Sequence, residues 1–218
     1  PEPRRREFLA QAAPLVDRLD AELHDTVRER VEGPADDLGA YYGDLIATLD
    51  DALFSVADDD QLLVLENLMA MAEQAQFDSK YFQQPEMLAR IEAIQAALQA
   101  SGYVGKTSAV TDVVKVVNRE LRSGEQADYV IPDTARGVAQ TLLQYQSSHR
   151  PQDVWHILTP DMTSAAIWVQ LTSGDNKDMS RVVEFLDEYL AENPLPSDVE
   201  MHWAGKNFIN VVWQDNMV

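Results

Sequence analysis

Apolar residues recur along this chain in two rhythms. From Ala165 to Leu171 they alternate, with Ile167, Val169 and Leu171 on one side and Ala166, Trp168 and Gln170 on the other, which is the period of a strand. Behind a polar turn from Ser173 to Asp178, Val182, Val183, Phe185, Leu186, Tyr189 and Leu190 return at helical spacing, and Asp178 is placed to cap that helix. Pro194 and Pro196 end it, because proline lacks the backbone donor and clashes with the preceding turn. Val199, Met201 and Trp203 alternate with Glu200 and His202, predicting another strand. The apolar run 207–218 has helical spacing and no stop signal, and the first residue is not Met. The expectation is a piece of a longer chain.

Upstream the rhythm is mostly helical. Phe8, Ala12, Leu15, Leu19, Leu23, Val27 and Val31 predict one helix over residues 4–32, kinked or restarted at Pro14. Gly33-Pro34 breaks it. A helix over Tyr41–Val56 should turn Tyr42, Leu45, Ile46, Leu49 and Phe54 inward, and Asp58 to Asp60 should form a solvated turn. Residues 61–66 are ambiguous between strand and helix, and a strand is preferred on topological grounds. Pro85–Ser101 is the clearest helix, with Leu88, Ile91, Ile94, Ala97 and Leu98 as its stripe. A strand over Tyr103–Val110 follows, then a helix capped by Thr111 carrying Val113, Val114, Val116, Val117 and Leu121. Pro132-Asp133-Thr134 starts a further helix through Tyr145. Residues 154–158 and 165–171 flank the turn residues Thr159-Pro160-Asp161 and predict a hairpin.

These pieces add to strand, helix, strand, then strand, helix, strand. That is a split βαβ (ferredoxin-like) α+β architecture, closed only if a strand at 61–66 precedes the Pro85 helix. The organisation expected is an acid-rich helical region at 1–60, an α+β domain at 61–206 and a connector helix at 207–218.

Composition narrows function. The 218 residues carry 37 acids against 17 Lys and Arg, a net charge of −20, which argues against nucleic acid. Eleven of the acids lie between residues 34 and 79, where there is no Lys or Arg. Their spacing does not fit a calcium-binding loop, which needs acids at alternate positions, a glycine and a distant Glu. The Arg4-Arg5-Arg6 run reads as a solvated helix start. No apolar run is long enough to span a membrane, and no cysteine is present.

Candidate chemistry is sparse. Gly105-Lys106-Thr107 suggests a phosphate loop, but the position of the leading glycine is Ala100, and a strand contains the tripeptide. His24, His149, His156 and His202 lack metal-ligand spacing, and His156 and His202 fall on predicted strands. There is no nucleophile elbow. Glu184, Asp187 and Glu188 occupy the polar side of an ordinary amphipathic helix. No metal, no cofactor and no catalytic residue is assigned. All four tryptophans, Trp155, Trp168, Trp203 and Trp213, lie in the last third, where they serve either as packing or as the wall of an apolar groove.

Several of these stretches resemble a known family. Val104-Gly105-Lys106-Thr107 with the run Asp112 to Leu121, then Trp155 to Asp161, then Ile167 to Met179, resemble the large extracytoplasmic loops of RND-superfamily exporters of the MMPL type. Residues 209–218 resemble the connector leading into the next transmembrane helix. The resemblance covers about 77–218. It implies a porter domain on the periplasmic side of the bacterial inner membrane, part of a proton-driven transporter, with no enzymatic activity of its own. Its partners would be the transmembrane part of the same polypeptide, a second porter loop or protomer, and a hydrophobic or lipid-like substrate touching Trp155, Trp168, Trp203 and Phe208. A rival expectation is a protein–protein interaction module docking through the acidic region 34–79. A nucleotide-binding enzyme would rest on Gly105-Lys106-Thr107 alone.

Overall fold

The computed structural model describes residues 2–35, 37–173, 176–206, 208, 209 and 213. The chain divides into two compact units, Pro1–Tyr81 and Phe82–Val218. The boundary expected at 60/61 falls instead inside the first turn of a helix.

The first unit is four helices: α1 (Glu2–Val16), α2 (Ala21–Glu32), α3 (Leu38–Ser55) and α4 (Asp59–Ser79). The single helix expected over 4–32 is two, and the break is at residues 17–20 rather than at Pro14. Asp20 makes the break, because its carboxylate accepts the Leu23 N–H at 3.1 Å and starts α2. Asp37 caps α3 in the same way, and Asp58 accepts the Gln61 N–H at 3.0 Å to cap α4. The expected solvated turn Asp58–Asp60 is therefore a helix start, with Asp59 and Asp60 in the first turn where the helix dipole favours acids.

The strand expected at 61–66 is helical. Val64, Leu65, Leu68 and Ala72 form the buried stripe of the 21-residue α4. Length, not periodicity, separates the two readings of such an apolar run. Phe54, expected inward, is 85% exposed. The α3 stripe runs through Tyr41, Tyr42, Leu45, Leu49 and Ala52, and residue 54 lies about 200° around the helix from 52.

Phe8, Tyr41 and Tyr42 meet edge to face in this core, with centroids 5.0 to 6.5 Å apart. The arginine run is not a free solvated helix start. Arg4 donates to the Asp78 carbonyl at 2.7 Å and lies over the Tyr81 ring, while Arg5 donates to the Gly33 carbonyl and lies over Tyr41.

The second unit mixes helix with one small antiparallel sheet. It contains α5 (Pro85–Ala100), β1 (Val104–Ser108), α6 (Val110–Leu121), α7 (Ala135–Gln146), β2 (Trp168–Leu171) and α8 (Asn176–Glu192). Its core has two parts joined by α5. Leu88 and Ile91 pack with Val110, Val114, Val138, Leu142, Val154 and Leu158; Ile94 and Leu98 pack with Val104, Val182 and Leu186.

The expected hairpin is reduced to a single bridge between Leu158 and Ala165, and residues 151–156 form a 3-10 turn that includes His156. The ladder partner of β2 is β1, which is distant in sequence. The burial of residues 199–204 alternates as a strand's would, but they carry no regular secondary structure and belong to neither strand of the sheet. His202 lies there, exposed and 3.3 Å from Glu200. Thr111 is not a cap. Ala109 precedes α6, Asp112 accepts the Ala109 N–H at 2.9 Å, and Thr111 is fully buried at the second position of the helix. Asp178 lies in the first turn of α8, accepting from the Ser173 hydroxyl, rather than at its cap. Most of the expected connector 207–218 lies outside the described residues, and Trp213, exposed, is helical.

Candidate functional site

One face of the β1–β2 sheet is covered, and the other is open. On the covered face Thr107 lies opposite Val169, and Val104 opposite Leu171, against the core formed with α5 and α8. On the open face Lys106 lies opposite Gln170, and Ser108 opposite Trp168. These residues line a shallow hollow of about 220 Å3.

Strict alternation would not give this arrangement. Val104 and Lys106 are two residues apart and would share a face. A register shift between them, a β-bulge at Gly105, changes the phase, so that Val104 and Thr107 both point inward. Lys106 is thereby turned to the open side. Burying its ammonium would be costly, which is the physical reason for the bulge's effect to matter here.

A buried polar network holds β1 in place. Gln95 of α5 donates to the Thr107 hydroxyl at 3.2 Å and to the Asp112 carboxylate at 3.0 Å. Its carbonyl oxygen accepts from Thr111. Gln99 donates to Thr107 at 2.6 Å. Gln95, Thr107 and Thr111 are all buried. Because each buried group has a partner, the network fixes strand against helix without leaving a desolvated polar atom. It also disposes of the phosphate-loop reading of Gly105-Lys106-Thr107. The tripeptide lies within a strand, and its Thr hydroxyl is occupied by two amides.

The residues expected to form one apolar wall divide. Trp168 is 62% exposed on the open face, and its indole N–H donates to the His156 carbonyl at 3.2 Å. Trp155 sits beside that carbonyl in the 3-10 turn, partly exposed. Trp203 packs on the core side and stacks on Phe208 at 6.2 Å; its indole nitrogen is buried without a hydrogen-bond partner among the described residues. Alternation within β2 already places Gln170 on the face of Trp168, whereas Lys106 and Ser108 were missed by sequence reasoning, since only the bulge in β1 brings them to that face.

Shifted ionisations lie elsewhere. Burial, then the neighbouring Tyr41, pushes the Tyr42 phenol up to about 12. Burial raises Tyr41 too, against the opposing effect of Arg5. The Ser123 hydroxyl holds the Asp128 carboxyl below the ordinary range. At Asp161 burial acts to raise the carboxyl, but hydrogen bonds from Thr159 and Thr163 outweigh it and the net direction is down. Asp128 and Asp161 order the loops that they belong to. Among the described residues no group of three His, Cys, Asp or Glu is arranged to hold a metal ion, and no helix is long and apolar enough to cross a membrane. No family model, no curated protein and no solved structure matches this chain.

Proposed function

We propose that this chain is an extracytoplasmic porter domain of a proton-driven RND/MMPL-type exporter, in which the second unit forms part of the path of a hydrophobic or lipid-like substrate. The observation that carries the reading is the open sheet face. Parts of three sequence stretches with the family resemblance, distant along the chain, come together there as β1, the 3-10 turn bearing Trp155, and β2. A sheet covered by helices on one side and presenting an exposed tryptophan on the other is suited to line a path rather than to close a core. The reading also takes α5–β1 and β2–α8 as the inner halves of a split βαβ unit. The antiparallel pairing of β1 with β2 and the packing of α5 on β1 and α8 support this. In this reading the domain acts by changing shape as the membrane part cycles.

The test is to read the parent coding sequence on both sides of these residues. Runs of about 20 apolar residues flanking them are expected. A stop codon soon after Val218, with no such run upstream, would refute the transporter reading.

A second reading, an interaction module of a membrane or envelope complex, is favoured by Phe54. It is 85% exposed in an acid-rich stretch with Asp50, Asp51 and Asp58 to Asp60 close in sequence. It predicts association with a basic amphipathic peptide that weakens steeply with salt and is lost in Phe54→Ser.

A further inference from the structure

We propose that the open sheet face binds an amphiphile with an anionic head group, a carboxylate or phosphate, with Lys106 holding the head and Trp168 the first part of the tail. The inference rests on the transport-path reading and names the class of its substrate. Three observations carry it.

The first is the bulge. It turns the Lys106 ammonium away from the core and onto the same face as Trp168. The second is the state of that charge. In the same unit Lys115 is paired with Glu92 at 2.6 Å, Arg119 with Glu120 at 2.8 Å and Arg181 with Asp178 at 3.0 Å. Lys106 has no ion pair among the described residues, although acids outnumber Lys and Arg by 37 to 17. The third is the lining. Ser108 and Gln170 flank Lys106 with neutral hydrogen-bonding groups, and no carboxylate lines the hollow. An acidic head would meet a cation and neutral donors there, while the rest of this chain repels it. A cationic head would find nothing to prefer. Trp168 presents an exposed indole to an acyl chain, and its N–H is already occupied by the His156 carbonyl, which fixes the ring.

The same head-group chemistry occurs in free phosphate, so the test separates tail from head. The full chain is labelled with 15N, and the indole N–H resonance of Trp168 is assigned by its loss in Trp168→Phe. Dodecyl phosphate, dodecyl maltoside and inorganic phosphate are titrated separately below micellar concentration at about 0.15 M salt, where charges beyond about 8 Å are screened. The expected result is a shift of the Trp168 resonance, about fivefold tighter binding of dodecyl phosphate than of the maltoside, and no saturation by inorganic phosphate. A preference of that size is what an exposed charge-assisted contact supplies. Lys106→Gln should equalise the two amphiphiles, and Lys106→Arg should keep the preference. Both variants change an exposed side chain, so folding is preserved.

Equal binding of the two amphiphiles by the unmodified chain, or a preference that survives Lys106→Gln, overturns this inference and leaves the transport-path reading standing. Saturation by inorganic phosphate as tight as by dodecyl phosphate overturns the amphiphile and leaves a simple anion site. A Trp168 resonance unmoved by any probe overturns both readings.

Discussion

Replacing Gln95 by Leu shortens the side chain by one atom and removes its hydrogen-bonding groups. Thr107 then retains Gln99, and Asp112 retains the Ala109 N–H. Thr111, with 0% exposure, loses the one partner of its hydroxyl among the described residues. A buried hydroxyl left unsatisfied costs about 1–3 kcal/mol, and the lost bond to the Asp112 carboxylate adds about 1.5 kcal/mol or more, partly offset by the extra apolar burial of Leu. The net expectation is about 2–4 kcal/mol of destabilisation. Urea unfolding followed by tryptophan fluorescence reads it cleanly, because all four tryptophans belong to the second unit. With a slope of about 1–3 kcal/mol/M, the midpoint should fall by about 1–2 M at unchanged slope. Thr111→Val removes the other partner. The double variant Gln95→Leu/Thr111→Val leaves neither group stranded, so it should cost at least about 1 kcal/mol less than the sum of the singles. A Gln95→Leu cost below about 0.5 kcal/mol, or additivity within that amount, would refute the claim that this network holds β1 on α5.

Three further outcomes are expected. Gly43→Ala in α3 should stabilise by about 0.5–1 kcal/mol, since its new methyl meets only the flexible end of Gln76 at 3.5 Å, whereas Gly137→Ala in α7 should destabilise, its methyl falling 2.9 Å from the Pro132 Cβ; thermal melts of both decide whether propensity or space rules. Tyr42 is favoured as the neutral phenol in the folded state, so its contribution is complete below pH 10 and is lost as the pH rises from about 10 to about 12. That loss is about 2–3 kcal/mol, and Tyr42→Phe should reduce the alkaline decline followed by circular dichroism. Asp128 has the opposite sign: its lowered carboxyl contributes above its unfolded value of about 3.8 and loses that contribution as the pH falls through the folded one. Ser123→Ala should move the Asp128 titration midpoint upward by NMR, and an unmoved midpoint would show that the hydroxyl is not the cause.

Helices were legible in the sequence because their signals are local. The Pro85 helix is announced by its proline and by a stripe from Leu88 to Leu98, all within a few turns. The α3 face and the Thr134 start of α7 were readable for the same reason. The acid run at Asp58 held a readable signal that went unread, an Asp at the cap with Gln61 three residues on, before an apolar run. The candidate site was half legible. Trp168 could be placed on a strand, on the face opposite Ile167, Val169 and Leu171, but whether that face is packed or open could not be read.

What the sequence determined by itself is most of the helices, the acidity, and the presence of alternating apolar segments. Only the tertiary structure decided three things. It buried Val64, Leu65, Leu68 and Ala72 as one stripe of α4, a choice of face that the cap signal at Asp58 does not supply. It paired β2 with β1 across nearly half of the second unit, because strand partners are chosen by long-range packing and not by neighbours in sequence. And it turned Lys106 to the side of Trp168, because a single extra residue in a ladder reverses the face of all that follows, and no local signal counts that residue.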